Sequence, residues 1–382
     1  MPWRWGCCLP LADYRILVVN PGSVSTKFAV YGNERAELVR NLRHSDEEMA
    51  QFQGRPVLEQ RDFRLSLMER ELIDAGYTPE QFHAVAGRGG LLRPLASGTY
   101  RVNDLMLEEL RLAARGNHAS NLGAVLASAF AQQAKVEAFI VDPVSVDERP
   151  PHARLSGSSE LERIGLSHAL NSKAIAKRYA REQLRSYDDL RLVVAHLGSG
   201  FCVSAHMGGK MVDMNNAREE GAFAAERSGT LPALALVRLC YSGTHTQKQA
   251  ESLVFGEGGL YSYLGTKDLA EVERRVAAGD AKAALVFDAM IYQIAKDIGA
   301  MATVLHGRID AVLITGGMAH SQQLIEKLSQ SIAWIAPVSV YPGEDELQAL
   351  AEGVLRVLRG EERAREFGAP EPVPQAAFQE DS

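Results

Sequence analysis

Three short glycine-bearing turns each follow an apolar run directly. They are Asn20-Pro21-Gly22-Ser23 after 16–19, His196-Leu197-Gly198-Ser199-Gly200 after 192–195, and Thr315-Gly316-Gly317 after 311–314. Such turns suit phosphate. Backbone N–H groups in a tight turn converge on an anion, and glycine lets the anion approach closely. One such turn is ordinary, but three in one chain, two of them in similar hairpins, point to a bound polyphosphate. The chain has no Gly-x-x-x-x-Gly-Lys-Ser/Thr motif and no protein-kinase catalytic loop. Those two phosphoryl-transfer architectures are therefore disfavoured.

The elements that carry these turns repeat. A strand at 16–19, the first turn and a strand at 27–31 close at Gly32-Asn33. A strand at 192–195, the second turn and a strand at 201–207 close at Gly208-Gly209. At an offset of 176, Gly22 falls on Gly198, Ser23 on Ser199, Ala29 on Ala205 and Gly32 on Gly208. Strand, turn type and hairpin end recur together, which predicts a duplicated unit. Between and after the hairpins, apolar spacing predicts helices over 65–75, 103–114, 171–184, 283–305 and 344–358, a helical continuation from Leu122 to Phe130, and a strand over 137–141. In the helix at 283–305, Met290, Ile294, Ile298, Met301 and Leu305 fall on one face. Strands and helices alternating in two similar halves predict an α/β, bilobal enzyme.

Bulk composition narrows the partners. A chain of 382 residues is long enough for two domains. A net charge of -7 argues against nucleic acid, because backbone neutralisation needs a basic surface. No apolar run is long enough to span a membrane. The four cysteines, Cys7, Cys8, Cys202 and Cys240, have neither zinc spacing nor a disulfide framework, and fit a cytoplasmic protein. Residues 1–14, with Trp3 and Trp5, read as an extension ahead of the fold. Residues 368–382, with Pro370, Pro372 and Pro374, read as a loose tail. The expected division is a first domain over 15–148, joined by a C-terminal helix at 346–367, and a second over 149–345.

At the level of whole motifs the chain resembles the acetate and butyrate kinases, of the acetate kinase, sugar kinase, chaperone and actin superfamily, with the butyrate branch closer. The resemblance runs through Asn20-Pro21-Gly22-Ser23-Val24-Ser25-Thr26-Lys27, Gly87-Arg88-Gly89-Gly90-Leu91-Leu92-Arg93-Pro94, Ser97-Gly98-Thr99-Tyr100 and Gly116-Asn117-His118-Ala119-Ser120-Asn121. It continues through Val141-Asp142-Pro143, His168-Ala169-Leu170-Asn171, Glu226-Arg227-Ser228-Gly229-Thr230-Leu231-Pro232, Thr315-Gly316-Gly317 and Tyr341-Pro342-Gly343-Glu344-Asp345-Glu346. These motifs keep the family's order from about Arg15 to Phe367. Three features depart from the family pattern: Val24 replaces a common hydroxyl residue, Ser199 stands where butyrate kinases more often have glycine, and 218–223 is short.

The resemblance implies a duplicated ribonuclease H-like (actin-like ATPase) fold of two lobes with an interlobe cleft. It implies ATP/ADP with Mg²⁺, and a homodimer or higher homo-oligomer. It implies that Asn20, Ser23 and Ser25 hold phosphate in the first turn and His196, Gly198, Ser199 and Gly200 in the second, with Gly316 and Gly317 at the adenosine. It implies active-site roles for Arg227, His168, His118 and Asp142, a substrate-carboxylate role for Arg88, and metal contacts from Glu346 and Asp142, with Asp345 the neighbouring candidate. Read by position alone, each has another explanation. Asp142 before Pro143 fits a turn acid, His118 a helix cap, His168 and Arg227 surface side chains, and Glu346 a helix N-terminus. The expected reaction is transfer of the γ-phosphoryl of ATP to butyrate, or to acetate, propionate or a branched acid. The rival of another class is a nucleotide-switch module of the actin or chaperone kind.

Overall fold

The structure is a computed structural model and describes residues 13–368. Trp3, Trp5, Cys7, Cys8 and the prolines of the expected tail lie outside the described residues. The strands, in chain order, are β1 (Arg15–Pro21), β2 (Ser25–Gly32), β3 (Arg35–Arg43), β4 (Ala84–Arg88), β5 (Thr99–Arg101), β6 (Glu137–Val141), β7 (Arg191–Leu197), β8 (Phe201–Met207), β9 (Lys210–Met214), β10 (Ala311–Gly316), β11 (Val338–Pro342) and β12 (Arg365–Glu366). They form two sheets in two compact units.

Among the described residues, the first unit comprises 13–92, 98–141 and 350–368, and the second 93–97 and 142–349. The expected boundaries therefore move. Residues 142–148, expected in the first domain, pack with the second. So do 346–349 at the start of the last helix, and so does the short stretch 93–97, where Leu95 bridges to Val146. That bridge ties a segment to residues about fifty positions away, a pairing no local pattern announces.

In the first unit the sheet order is β12-β5-β6-β4-β1-β2-β3. β1 runs antiparallel to β2 and parallel to β4, and β4 runs parallel to β6. The run Ile16, Leu17, Val18 and Val19 is wholly buried, as expected for a strand covered on both faces. β3, by contrast, is charged and mostly exposed, which suits an edge strand. Helices Arg61–Asp74 and Asn121–Ala134 put Met68, Leu72, Leu122, Leu126 and Phe130 into the core against Leu17, Val19 and Phe28.

In the second unit the order is β11-β10-β7-β8-β9, with the same sense of pairing: β7 antiparallel to β8, parallel to β10, and β10 parallel to β11. Helix Ala281–Val304 lays Met290, Ile294, Ile298 and Met301 on this sheet beside Val193, Val203 and Val312, and Leu305 just after it joins them.

The duplicated hairpins are both present, but their registers differ by one residue. Pro21 pairs with Thr26, whereas Leu197 pairs with Phe201. The first turn is one residue longer, so the offset of 176 holds along β1 and β7 and drops to 175 beyond the turn. Ala29 therefore corresponds to Ser204, not to Ala205. The irregularity after Val30 in β2 recurs after Ala205 in β8, which fits the shorter offset.

Candidate active site

In the second unit, the end of β7 delivers His196 and the turn that follows. His196 is fully buried, and the ring of His168 stacks on it with centroids 3.9 Å apart and planes 11° from parallel. His168 sits just before helix Ala169–Glu182, whose first turn supplies Asn171. The Asn171 amide Nδ2 donates to Thr315 Oγ1 at 3.1 Å and lies 2.8 Å from His196 Nδ1. Thr315 donates in turn to the Gly343 carbonyl, so its oxygen must accept from the amide. That fixes Nδ1 of His196 as an acceptor and leaves the proton on Nε2. Nε2 lies 3.1 Å from Glu344 Oε1, without the alignment of a hydrogen bond.

Arg227 lies over the same turn. A Cβ on Gly200 would fall inside the Arg227 guanidinium, so only glycine permits this approach. Nη1 donates to the Ala217 carbonyl at 2.6 Å, and the guanidinium sits 4.8 Å from the Phe255 ring centroid. Burial pulls its pKa below the ordinary arginine value, partly offset by Glu226, and it stays charged. Gly316, at φ 95°, turns the chain at the end of β10 against the Leu197 carbonyl, a left-handed conformation that favours glycine.

Gly198, Ser199 and Gly317 line a cleft of about 700 Å³ within this unit, together with Glu226, Lys267, Glu273, His320 and Glu344. Asp142 follows β6 with φ 38°, a left-handed backbone that aspartate tolerates better than most residues. It is nearly buried and accepts a 2.6 Å hydrogen bond from Ser97 Oγ. Ser97 N donates to Glu148, which pairs with the buried Lys173 at 2.6 Å on the helix that begins beside His168. One polar chain thus holds the positions of both Asp142 and His168. Glu346 is also nearly buried, at the first position of the helix Glu346–Leu358. Among the described residues, no group of three or more His, Cys, Asp or Glu side chains clusters as a cation cage. Asp142 and Glu346 are hard oxygen donors of the kind magnesium takes, and magnesium needs few protein ligands because it keeps water and phosphate oxygens.

In the first unit, β1 and β4 lie side by side, and their ends present Asn20 and Arg88. Arg88 Nη1 donates to Asn20 Oδ1 at 3.3 Å. Ser23 is exposed and Ser25 half-buried in the turn, which Gly22 N closes onto the Ser25 carbonyl at 2.8 Å. His118 is exposed on the turn before helix Asn121–Ala134. Its Nδ1 accepts from Ser120 N at 3.2 Å and meets Ser120 Oγ at 2.8 Å. Three side chains here were given no site role from the sequence: Asn171, Ser97 and Arg64. Arg64 lies wholly buried under the first turn. Asn171 and Ser97 stand inside the resemblance motifs, but their partners are distant in sequence.

A curated relative, butyrate kinase 2 of Clostridium acetobutylicum, is 46% identical over 355 residues, 93% of this chain and 99% of that protein. The chain belongs to the acetate and butyrate kinase family. The profile of the acetokinase family matches residues 160–337, within the second unit. Among solved structures, acetate kinase of Porphyromonas gingivalis superposes with a TM-score of 0.75 at 18% identity, covering 90% of this chain and 100% of that one. A propionate kinase of Francisella tularensis gives 0.69 at 17%, covering 89% and 98%. Both share the duplicated actin-like fold. Family membership makes the chain a phosphotransferase with a carboxyl acceptor, and the nucleotide-switch rival falls away. Among the described residues no helix is long and apolar enough to cross a membrane.

Proposed function

We propose that the chain transfers the γ-phosphoryl group of ATP to a short-chain fatty acid, with butyrate preferred: butyrate and ATP give butyryl phosphate and ADP, reversibly. The observation that carries this reading is the Arg227 guanidinium held on the second glycine turn, beside a cleft of nucleotide size. Phosphoryl transfer through a loose transition state needs positioning and charge neutralisation rather than an enzyme nucleophile. A carboxylate oxygen attacks the γ-phosphorus, the new O–P bond forms in line, the bond to the β-phosphate oxygen breaks, and ADP leaves with the electron pair.

In this reading Arg227 forks onto the equatorial oxygens of the transferring group. His196 directs its Nε2 proton toward the second turn, and His168 and His118 donate to the phosphoryl or acyl oxygens. Asn20, Ser23 and Ser25 hold phosphate at the first turn, and Gly198, Ser199 and Gly200 at the second. Gly316 and Gly317 lie beside the adenosine. Arg88 takes the substrate carboxylate. Asp142 and Glu346 are the carboxylates that would hold Mg²⁺, which when bound neutralises charge on the phosphate oxygens.

Helix Ala233–Cys240 supports a homodimer. It is apolar, yet none of its residues is buried, and Leu234 is 74% exposed. The exposed free thiol of Cys240 supports a reducing, cytoplasmic setting.

The test is ADP release by the purified protein with and without added acid, with hydroxylamine present to trap an acyl phosphate. The expected result is ADP release that requires the acid and matches hydroxamate formed. ADP release independent of acid would overturn the proposal.

A further inference from the structure

Arg64 is among the largest fully buried side chains of the protein, and it lies directly beneath the first glycine turn. Its five N–H donors are all used. Nε and Nη2 donate to Gln60 Oε1 at 3.0 and 2.8 Å. Nη1 donates to the Ser25 carbonyl at 2.8 Å and to Thr26 Oγ1 at 2.9 Å. Nη2 also donates to the Ser23 carbonyl at 3.1 Å. Every acceptor is neutral. Burial alone pushes its pKa down, to about 10, so it remains charged at neutral pH. Thr26 Oγ1 accepts from Arg64, so its own proton points to His44 Nε2, 2.9 Å away. His44 is buried too. Burial, then the Arg64 charge, lower its pKa and keep it neutral.

We infer that Arg64 is a positioning residue for phosphoryl transfer: a buried guanidinium whose partners among the described residues are all neutral, which shapes the first turn and gives it a fixed positive charge.

Three points separate this from a merely structural arginine. Burying an ion costs several kcal/mol unless an opposite charge answers it, and among the described residues no acid answers this one. A neutral donor could cap the same carbonyls at far lower cost. An anion seated on the turn would supply the missing countercharge. The geometry also has direction. The Ser23 carbonyl points inward to Arg64, so in the planar trans peptide the Val24 N–H points the opposite way. Val24 itself is 60% exposed, and its N–H faces away from the buried Arg64. A cation on the carbonyl polarises the same peptide and strengthens that N–H as a donor to phosphate.

The inference rests on the reading of 20–26 as a phosphate turn, so the test includes a variant of the turn itself. Arg64→Met, Arg64→Lys and Asn20→Ala are compared with wild type for kcat, for KM of ATP and butyrate, and for unfolding temperature. Arg64→Met is expected to fold and to lose ~10²-fold in kcat/KM for ATP. Its KM for butyrate should stay within about threefold of wild type. Arg64→Lys keeps the charge and should recover about tenfold of that loss. If folded Arg64→Met keeps wild-type kcat/KM for ATP while Asn20→Ala loses it, the Arg64 role is overturned and the turn stands. If neither variant loses it, both assignments fall. Should Arg64→Met not fold, nitrogen-15 arginine NMR of the wild type decides. The slowly exchanging Arg64 Nε–H resonance should move when an ATP analogue with a non-hydrolysable β–γ bridge is added. A resonance that stays put overturns the role.

Discussion

The two duplicated hairpins hold their glycine turns in opposite ways. In the first unit the brace comes from the inner side: Arg64 reaches up to the Ser23 and Ser25 carbonyls, with Thr26 and His44 completing the support. In the second unit the charged group, Arg227, lies over the turn itself, packed so closely on Gly200 that no side chain fits there. The Asn171–Thr315 pair supports this second turn from His196. A duplicated backbone thus carries two different electrostatic devices. One is a fixed charge behind the turn. The other is a guanidinium laid over the turn.

The sharpest break of this comparison is Arg227→Ala. It should lower kcat by ~10²–10³-fold, the usual cost of losing one transition-state charge stabiliser, and move KM for ATP far less. A variant with near-normal turnover would remove Arg227 from the mechanism. The next test sets the two turns against each other. Gly200→Ala drives a Cβ into the guanidinium, so its loss in kcat should approach that of Arg227→Ala, and the double variant should be far from additive. In the first turn, at Gly22, the nearest atom to a new Cβ is Ser25 Oγ at 3.3 Å, a side chain that can swing aside. Gly22→Ala should therefore leave the unfolding temperature nearly unchanged. An equal loss of stability in both variants would erase the asymmetry.

Much of this was legible in the sequence, but unevenly. The hairpins, their glycine turns and the buried face of helix Ala281–Val304 rest on local patterns, and the structure has them. The equivalence of the two hairpins slipped by one residue, because chance identities such as Ala29 with Ala205 masked the longer first turn. β3 was not read, since its charged, exposed run lacks the alternation of a half-buried strand. Arg64 looked like any arginine near a helix start. Its acceptors at Ser23 and Ser25 lie 41 and 39 positions away, and no spacing rule connects a helix to a distant carbonyl. Asn171 was visible only as part of a motif, because its role depends on Thr315, 144 residues downstream.

Smaller effects refine the second turn. Asn171→Asp replaces the amide donor with an acceptor and should draw a proton to Nδ1 of His196, reversing the tautomer. The cost should be about one hydrogen bond, roughly five- to tenfold in kcat. A pH–rate profile that does not change would show that the His196 tautomer is immaterial.

The last of the series concerns the segment leading to Arg227. Asp297 accepts a 2.6 Å hydrogen bond from Ala222 N, and burial pushes its carboxyl up to about 6. A raised acid pKa means that the folded state binds the proton more tightly than the unfolded chain. The favourable contribution is therefore full below the unfolded value near 3.8 and is lost as pH rises through about 6. Asp297→Asn removes that loss. It should raise stability at pH 8 relative to pH 4, by ~3 kcal/mol at most. Thermal unfolding at the two pH values checks it, and a shift of the opposite sign would reject the burial argument.

The most direct test of the whole account is the ratio of kcat/KM for butyrate to that for acetate, with ATP saturating. Each methylene buried in an apolar acyl pocket is worth about 1 kcal/mol. Butyrate carries two more than acetate, so the predicted ratio is on the order of tens in favour of butyrate. A ratio of one or less would contradict the butyrate assignment while leaving phosphoryl transfer to a carboxylate intact.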